Sequence, residues 1–403
     1  MQAITPTTYA AAQVLPSYKE ATSRKRKYEL SDSSLAQPPK HPSSENRLYT
    51  PNTLPITLTI HTPLYGKTSL TLLNFIAAGT FGKAYKSIAT YNDDSEQPCI
   101  TKCFFKKDAF ESETNKYTEL NKLNIPREHV IQTLFAYVGK TIRISAIIFE
   151  DGGICLAKIN ACNKEKIPDI PLILNLGIQL YTGLAALNSR YVIHADISRT
   201  NLVVKQGILK IIDFGSALLA NKETGKASLE PEIQITAIDF RGPDRNLFGQ
   251  IDCHKYDCWS AGVVLHFLLT PIKRNFTFYN VSNDPIKIQD QQQLELLISQ
   301  LGKPPIPIEE SFLYRRSPWE ITREQPLDEP ASAQAVVSHP MPRWKMQLGL
   351  SPFLPFLSRV FCYPEQRYTT AEALQALQDL QISLSQGPSN AVVDGDSIQV
   401  ATE

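Results

Sequence analysis

The chain has 403 residues, 42% of them apolar and 20% charged, with a net charge of +1. That is enough to bury a large core in two or three domains, and the near-zero balance gives no field to pull the chain onto nucleic acid or an anionic membrane. No membrane-spanning apolar run and no signal-peptide core are evident, and the seven cysteines are scattered without zinc-site spacing, which suits reduced thiols in a cytosolic or nuclear protein.

Residues 1–54 are rich in Pro, Ser, Thr, Gln and Lys and poor in large apolar side chains, so disorder is expected. Within them SRKRKYEL sets Arg24, Lys25, Arg26 and Lys27 side by side, a cluster that reads as a nuclear import signal or an anion-binding patch. From about 56 to 150 the texture is strand-like: LPITLTIHTP, SLTLLNFIAAGTFGKAYKSIAT and TIRISAIIFE. One helix interrupts, KDAFESETNKYTELNKLN, with Phe110, Tyr117, Leu120 and Leu123 on one face. From about 170 the pattern turns helical, with LILNLGIQLYTGLAALNSR and the nearly all-apolar YDCWSAGVVLHFLL. A β-rich part followed by a helix-rich part is an α+β pattern. The tail 386–403 is small and polar and is expected to be mobile.

The chemistry concentrates at HADISRTN, 194–201, and the LVVKQGILKIIDFGSALL that follows. Two apolar strands flank a KQG turn, so a hairpin can return the chain and bring Asn201 and Asp213 to one edge. An amide oxygen and a carboxylate there are hard ligands suited to Mg²⁺. Asp196, on the same loop, can orient or deprotonate a hydroxyl. Upstream, AAGTFG keeps Gly79 and Gly82, which permit close backbone approach to phosphates. CITKCF puts Lys102 inside an apolar strand, where a lysine is costly unless paired. Glu111, Glu113 and Glu119 all lie on the predicted helix. Glu113 heads an i, i+4, i+7 stripe with Tyr117 and Leu120, which favours it as the partner, with Glu119 second.

In this order the motifs resemble those of the protein kinase superfamily, over roughly residues 65–384. The resemblance implies a bilobal, protein-kinase-like α+β fold: a small β-rich N-lobe at about 65–150 and a larger helical C-lobe at about 154–384. It implies ATP- and Mg²⁺-dependent transfer of a γ-phosphoryl group to Ser or Thr of protein substrates. Asp196 would accept the hydroxyl proton, Asn201 and Asp213 would hold Mg²⁺, and Lys102 would grip the phosphates and pair with the helix glutamate. Gly79, Thr80, Phe81 and Gly82 would form the phosphate-covering loop, with Ala77 where the family has glycine. IIFEDGG would be the hinge, with Phe149 as gatekeeper and the backbone of Glu150 and Gly152 toward the adenine. Ile76, Ala84 and Ile100 would roof the pocket, although each also reads as plain strand core.

FRGPD resembles the family's Ala-Pro-Glu element, which implies an Asp244–Arg367 ion pair, and YDCWSAG implies that Asp257 braces the catalytic loop. Arg241 and QLELLISQLGKPP resemble the cyclin-dependent and mitogen-activated group, and Arg241 hints at proline after the target residue. His194 is expected to pack near Phe214. Ala195 stands where most members carry arginine, which implies no control by phosphorylation within 216–240. Ser198 stands where Ser/Thr kinases carry lysine, as in herpesvirus protein kinases and RIO kinases, and Arg199 is a candidate to supply the charge. These departures resemble a viral Ser/Thr kinase. Two rival readings are a small-molecule kinase of the aminoglycoside or choline type and a pseudokinase scaffold. The first lacks the 240–244, Asp257 and Arg367 elements, and retention of Lys102, Asp196, Asn201 and Asp213 opposes the second. The implied partners are protein substrates and an import receptor at Arg24–Lys27, with a monomeric, nuclear or otherwise cytoplasmic chain and no nucleic acid or membrane.

Overall fold

Apolar and small polar residues alternate along ITLTIHT, Ile56–Thr62 (β1), which buries Leu58 and Ile60 and exposes Thr57 and Thr59. In the computed structural model, which describes residues 54–62, 66–79, 81–139, 144–162, 169–228, 238–269, 286–301, 303–316 and 351–386, this strand opens the fold. Arg24–Lys27, Thr80 and the tail after 386 lie outside the described residues. β1 pairs antiparallel with β2 (Gly66–Ala78) from Ile56↔Leu72 to Thr62↔Gly66, so the sheet starts ahead of residue 65. β3 (Gly82–Thr90), β4 (Glu96–Phe104), β5 (Thr133–Val138) and β6 (Ser145–Glu150) complete six strands in the order β1-β2-β3-β4-β6-β5.

One face of the sheet closes on Leu58, Leu70, Leu72, Tyr85, Phe135 and Ile148. Helix α1 (Lys107–Lys122) lies against β4 and β6 and buries Phe110, Glu113, Thr114, Tyr117 and Leu120. Its buried stripe is the expected one, with a carboxylate set into it.

The helical lobe follows a two-residue strand β7 (Ile154–Cys155) and α2 (Leu156–Cys162). Its centre is α3 (Ile170–Asn188), started by Asp169, whose side chain accepts from Leu172 N at 3.1 Å. Contrary to the expectation from the sequence, α3 is long and apolar enough to cross a membrane, with a mean hydropathy of 1.6. It is packed as a core helix instead, against α5 (Tyr256–Leu269) and the C-terminal α9 (Thr370–Gln386). Its Tyr181 donates to the Cys258 carbonyl at 3.0 Å. Short strands β8 (Val192–Ile193), β9 (Leu202–Lys205), β10 (Ile208–Ile211) and β11 (Leu218–Leu219) form two small sheets, β9 and β10 with β7 and β8 with β11, followed by β12 (Lys226–Ser228), α4 (Asp244–Phe248) and β13 (Gln250–Asp252). Among the described residues the remaining α-helices are α6 (Ile286–Leu301), α7 (Phe312–Arg316) and α8 (Leu354–Val360). The result is the α+β, two-lobed architecture that the sequence pattern implies.

Candidate active site

A hairpin sets the geometry. β9 and β10 pair from Lys205↔Ile208 to Leu202↔Ile211 around Gln206 and Gly207, whose φ values of 53° and 79° make the tight left-handed turn such a hairpin needs. The chain therefore returns to where it left, and Ile212 N donates to the Asn201 carbonyl at 2.9 Å. Asn201 and Asp213 are thereby brought to one end of the hairpin. Asn201 Nδ2 donates to Asp196 Oδ2 at 3.0 Å and to the Asp196 carbonyl at 2.8 Å. Its Oδ1 is buried with no hydrogen-bond partner. An orphaned amide oxygen beside two carboxylates fits a hard divalent cation such as Mg²⁺. Asp213 itself sits at φ 72°, a backbone state that costs a side-chain-bearing residue about 1–2 kcal/mol and is found at functional turns.

The loop is braced from below. Asp257 on α5 accepts from His194 N at 2.7 Å and from Ala195 N at 2.9 Å. Burial raises the Asp257 carboxyl to about 6, and the two N–H donors oppose that rise. His194 packs edge-on against Phe214 with centroids 4.9 Å apart. Its Nδ1 accepts from Asp196 N at 3.2 Å, so the proton sits on Nε2, which donates to the Ile212 carbonyl at 3.0 Å. Burial pushes this imidazole down to about 4. Phe214 also meets Tyr117 of α1 at 5.7 Å, and Tyr117 meets Phe149 at 5.5 Å. A continuous aromatic column therefore joins the two lobes behind the site.

Above the loop is a cavity of about 530 Å³. Of the predicted pocket residues, Ile76, Ala84, Ile100, Lys102, Glu113, Phe149, Glu150, Gly152 and Asp213 line it. Lys102 Nζ pairs with Glu113 Oε1 at 3.3 Å. Glu111 and Glu119 pair on the exposed side instead, with Lys107 at 3.3 Å and Lys122 at 2.7 Å. Burial pushes the Glu113 carboxyl well above its usual range; Lys102 opposes this and Asp213 adds to it.

Other named residues lie outside the cavity or are held by neighbouring groups. Gly79, Phe81 and Gly82 do not line the cavity. Gly79 N donates to the Gly82 carbonyl at 2.9 Å, and Phe105 N to the Phe81 carbonyl at 2.8 Å. A Cβ on Gly82 would lie 2.1 Å from the Cys103 carbonyl oxygen, so this glycine is already required by the approach of β3 to β4. The N–H of Glu150 is engaged by the Gln132 carbonyl at 3.0 Å, and its carboxylate by Lys210 at 2.7 Å. Arg199 does not turn toward Asp196 as the replacement charge: its guanidinium lies 4.4 Å over the Phe267 ring with Asp239 as a charged neighbour. Arg241 is buried and ion-paired with Asp290 of α6.

Ala195 is buried in an apolar cluster with Ile193, Ala220, Ala227, Ile251, Cys253 and Tyr256, and its methyl carries no charge to receive a phosphate. Farther off, Arg367 Nη1 meets Asp244 Oδ1 at 2.8 Å, the pairing the FRGPD resemblance implies. Ile131, Val203 and Ile212 are among the further lining residues that were not anticipated. Val203 was findable, because alternation along β9 puts it two residues beyond Asn201.

The protein kinase domain family model matches residues 70–377. Serine/threonine-protein kinase ssn3 of Aspergillus terreus is 24% identical over 243 residues, 56% of this chain and 54% of that protein. CTD kinase subunit alpha of Schizosaccharomyces pombe is 26% identical over 248 residues, 61% of this chain and 39% of that protein. A protein of Acanthamoeba polyphaga mimivirus, named for serine/threonine-protein kinase activity, is 26% identical over 266 residues, 61% of this chain and 45% of its own length. The chain spans about half the length of the curated relatives it matches. Fungal and viral relatives match alike, so the viral resemblance gains nothing over a cellular one.

Proposed function

The chain belongs to the protein kinase domain family, and we propose that it transfers the γ-phosphoryl group of ATP, with Mg²⁺, to Ser or Thr hydroxyls of protein substrates. The observation that carries this reading is one cavity with two kinds of wall. Ile76, Ala84, Ile100 and Phe149 make an apolar part suited to a flat base, and Lys102, Glu113 and Asp213 make a charged part. Glu113 holds Lys102 where it can meet phosphate oxygens. Asp196, fixed by Asn201 Nδ2, orients the attacking hydroxyl and takes its proton. Asn201 and Asp213 would hold Mg²⁺, which when bound supplies neutralising charge to the transferring group. The rest of the work is positioning and charge stabilisation by the chain's own groups. We assign this catalytic unit to residues 65–384, with β1 at 56–62 extending its sheet and the lobes meeting at about 150–154.

The test is transfer of radiolabel from ATP to a generic basic protein. Wild type should label it on Ser or Thr by phosphoamino-acid analysis, and Asp196→Ala should be slower by about 10²- to 10⁴-fold. Equal labelling by wild type, Asp196→Ala and Lys102→Met would reject the reading, and inertness of all three would favour a scaffold. The apolar setting of Ala195 supports activity without activation-segment phosphorylation. A large fall in activity on phosphatase treatment would remove that part. Nuclear import through Arg24–Lys27 belongs to the same proposal, and alanine replacement of the four should leave a fluorescent fusion in the cytoplasm.

A further inference from the structure

Lys116 belongs to none of the motifs above. It follows Glu113 by one helical turn on α1, and a lysine there would ordinarily snorkel its ammonium into water. Here it is half-buried, and its Nζ donates to the carbonyl of Gly215, at the end of the turn that carries Asp213. Burial lowers the Lys116 pKa, while Glu113 and Asp213 act the other way, so both carboxylates lie within its electrostatic reach. Tyr117, the next residue, packs on Phe214 at 5.7 Å. Two consecutive side chains of α1 therefore grip the same three-residue turn. The turn needs holding, since Asp213 at φ 72° persists only where its surroundings over-determine it.

We propose that Lys116 is a positioning residue that clamps the Asp213 turn to α1, so that one helix sets both the Lys102–Glu113 pair and the metal-binding carboxylate. This rests on the reading of the site given under Proposed function. The clamp has a consequence that a packing role lacks. Losing it should loosen the metal-dependent part of nucleotide binding more than the base-binding part, because the base meets the apolar walls.

The test uses the full chain and a fluorescent ADP analogue, titrated with and without Mg²⁺, alongside amide hydrogen exchange. In Lys116→Met the affinity with Mg²⁺ should fall about ten-fold, the loss of one charge-assisted hydrogen bond. Affinity without Mg²⁺ should stay near wild type. Amides of 214–217 should exchange faster while those of α3 and α9 keep their protection, and Lys116→Arg should restore both readouts. Wild-type Mg²⁺ dependence in the Met variant overturns the proposal, and so does an Arg variant no better than Met. If Lys116→Met does not fold, Lys116→Ala is read instead; it removes the donor altogether, and Mg²⁺-dependent affinity equal to wild type overturns the clamp. Failure of the wild-type chain itself to bind nucleotide overturns the underlying reading of the site, an outcome distinct from a clamp without effect.

Discussion

Two buried ion pairs, one on each side of the cleft, differ less in themselves than in what surrounds them. Lys102–Glu113 spans 3.3 Å with side chains 7% and 1% exposed, and Arg367–Asp244 spans 2.8 Å with 0% and 2%. Each leaves one carboxylate oxygen without a hydrogen-bond partner, Glu113 Oε2 and Asp244 Oδ2. Burial raises both carboxyls. Neither ion pairing nor a shifted carboxyl therefore separates site from scaffold here. The neighbours do. Arg367 stacks 5.0 Å from the Trp259 ring and donates twice more to the Cys362 carbonyl, at 2.8 and 3.2 Å. A Cβ on Gly242 would come within 3.0 Å of Asp244 Oδ2, so that oxygen is walled in by protein. Glu113 and Lys102 line an open cavity. Both oxygens are equally shut from solvent, so what separates the pairs is the cavity that Lys102 lines and Arg367 does not.

The strongest way to break this comparison is Arg367→Ala. Leaving Asp244 as an unpaired buried charge should cost about 3–5 kcal/mol in urea unfolding. A double-mutant cycle with Asp244→Ala should show strong coupling, and simple additivity would end the scaffold assignment.

His194, between the two pairs, comes next. Its imidazole titrates at 6.5 in an unconstrained chain and at about 4 when folded. Between those values the imidazole holds more proton in the unfolded chain, so its contribution to stability is full above pH 6.5 and is lost as pH falls toward 4, against the opposite slope of Asp257, whose carboxyl is raised to about 6. The loss should reach about 3 kcal/mol. His194→Gln should remove that contribution, so that stability below pH 6 falls less or rises relative to wild type as pH is lowered, whereas an unchanged slope would place the acid sensitivity elsewhere.

Glu113→Gln is the mirror of the arginine change. Activity should fall about 10- to 100-fold, as when one partner of a charge-assisted contact is lost. The unfolding midpoint should barely move, because a neutral amide suits a site where burial already disfavours the carboxylate. A large midpoint shift with little loss of activity would make the two pairs alike.

What could be read in advance divides along physical lines. The 202–211 hairpin was legible because two short apolar strands flank a KQG turn, a local property. Glu113 was legible as the odd polar member of an apolar stripe. Lys116 was not, since a lysine on an amphipathic helix looks the same whether its ammonium meets water or a carbonyl 99 residues away. Arg199 was misjudged for the same reason: Phe267, which holds it, is distant in sequence. The length and apolarity of α3 were under-read, and only its packing partners identify it as core.

The smallest expected effect is the sharpest control on the N-lobe pair. Glu119 makes a shorter contact than Glu113 does, 2.7 Å to Lys122, yet its pair is 63% and 53% exposed. Solvent screens such a pair, and ordering two long side chains offsets much of its attraction. Glu119→Ala should change stability by no more than about 0.5 kcal/mol, with kinase activity and nucleotide affinity unchanged. The two glutamates are six residues apart, roughly 240° around the helix at 3.6 residues per turn. They cannot both face Lys102. A ten-fold loss of activity in Glu119→Ala would mean that α1 is rotated in solution, and it would take the Lys102–Glu113 pair and the Lys116 clamp down together.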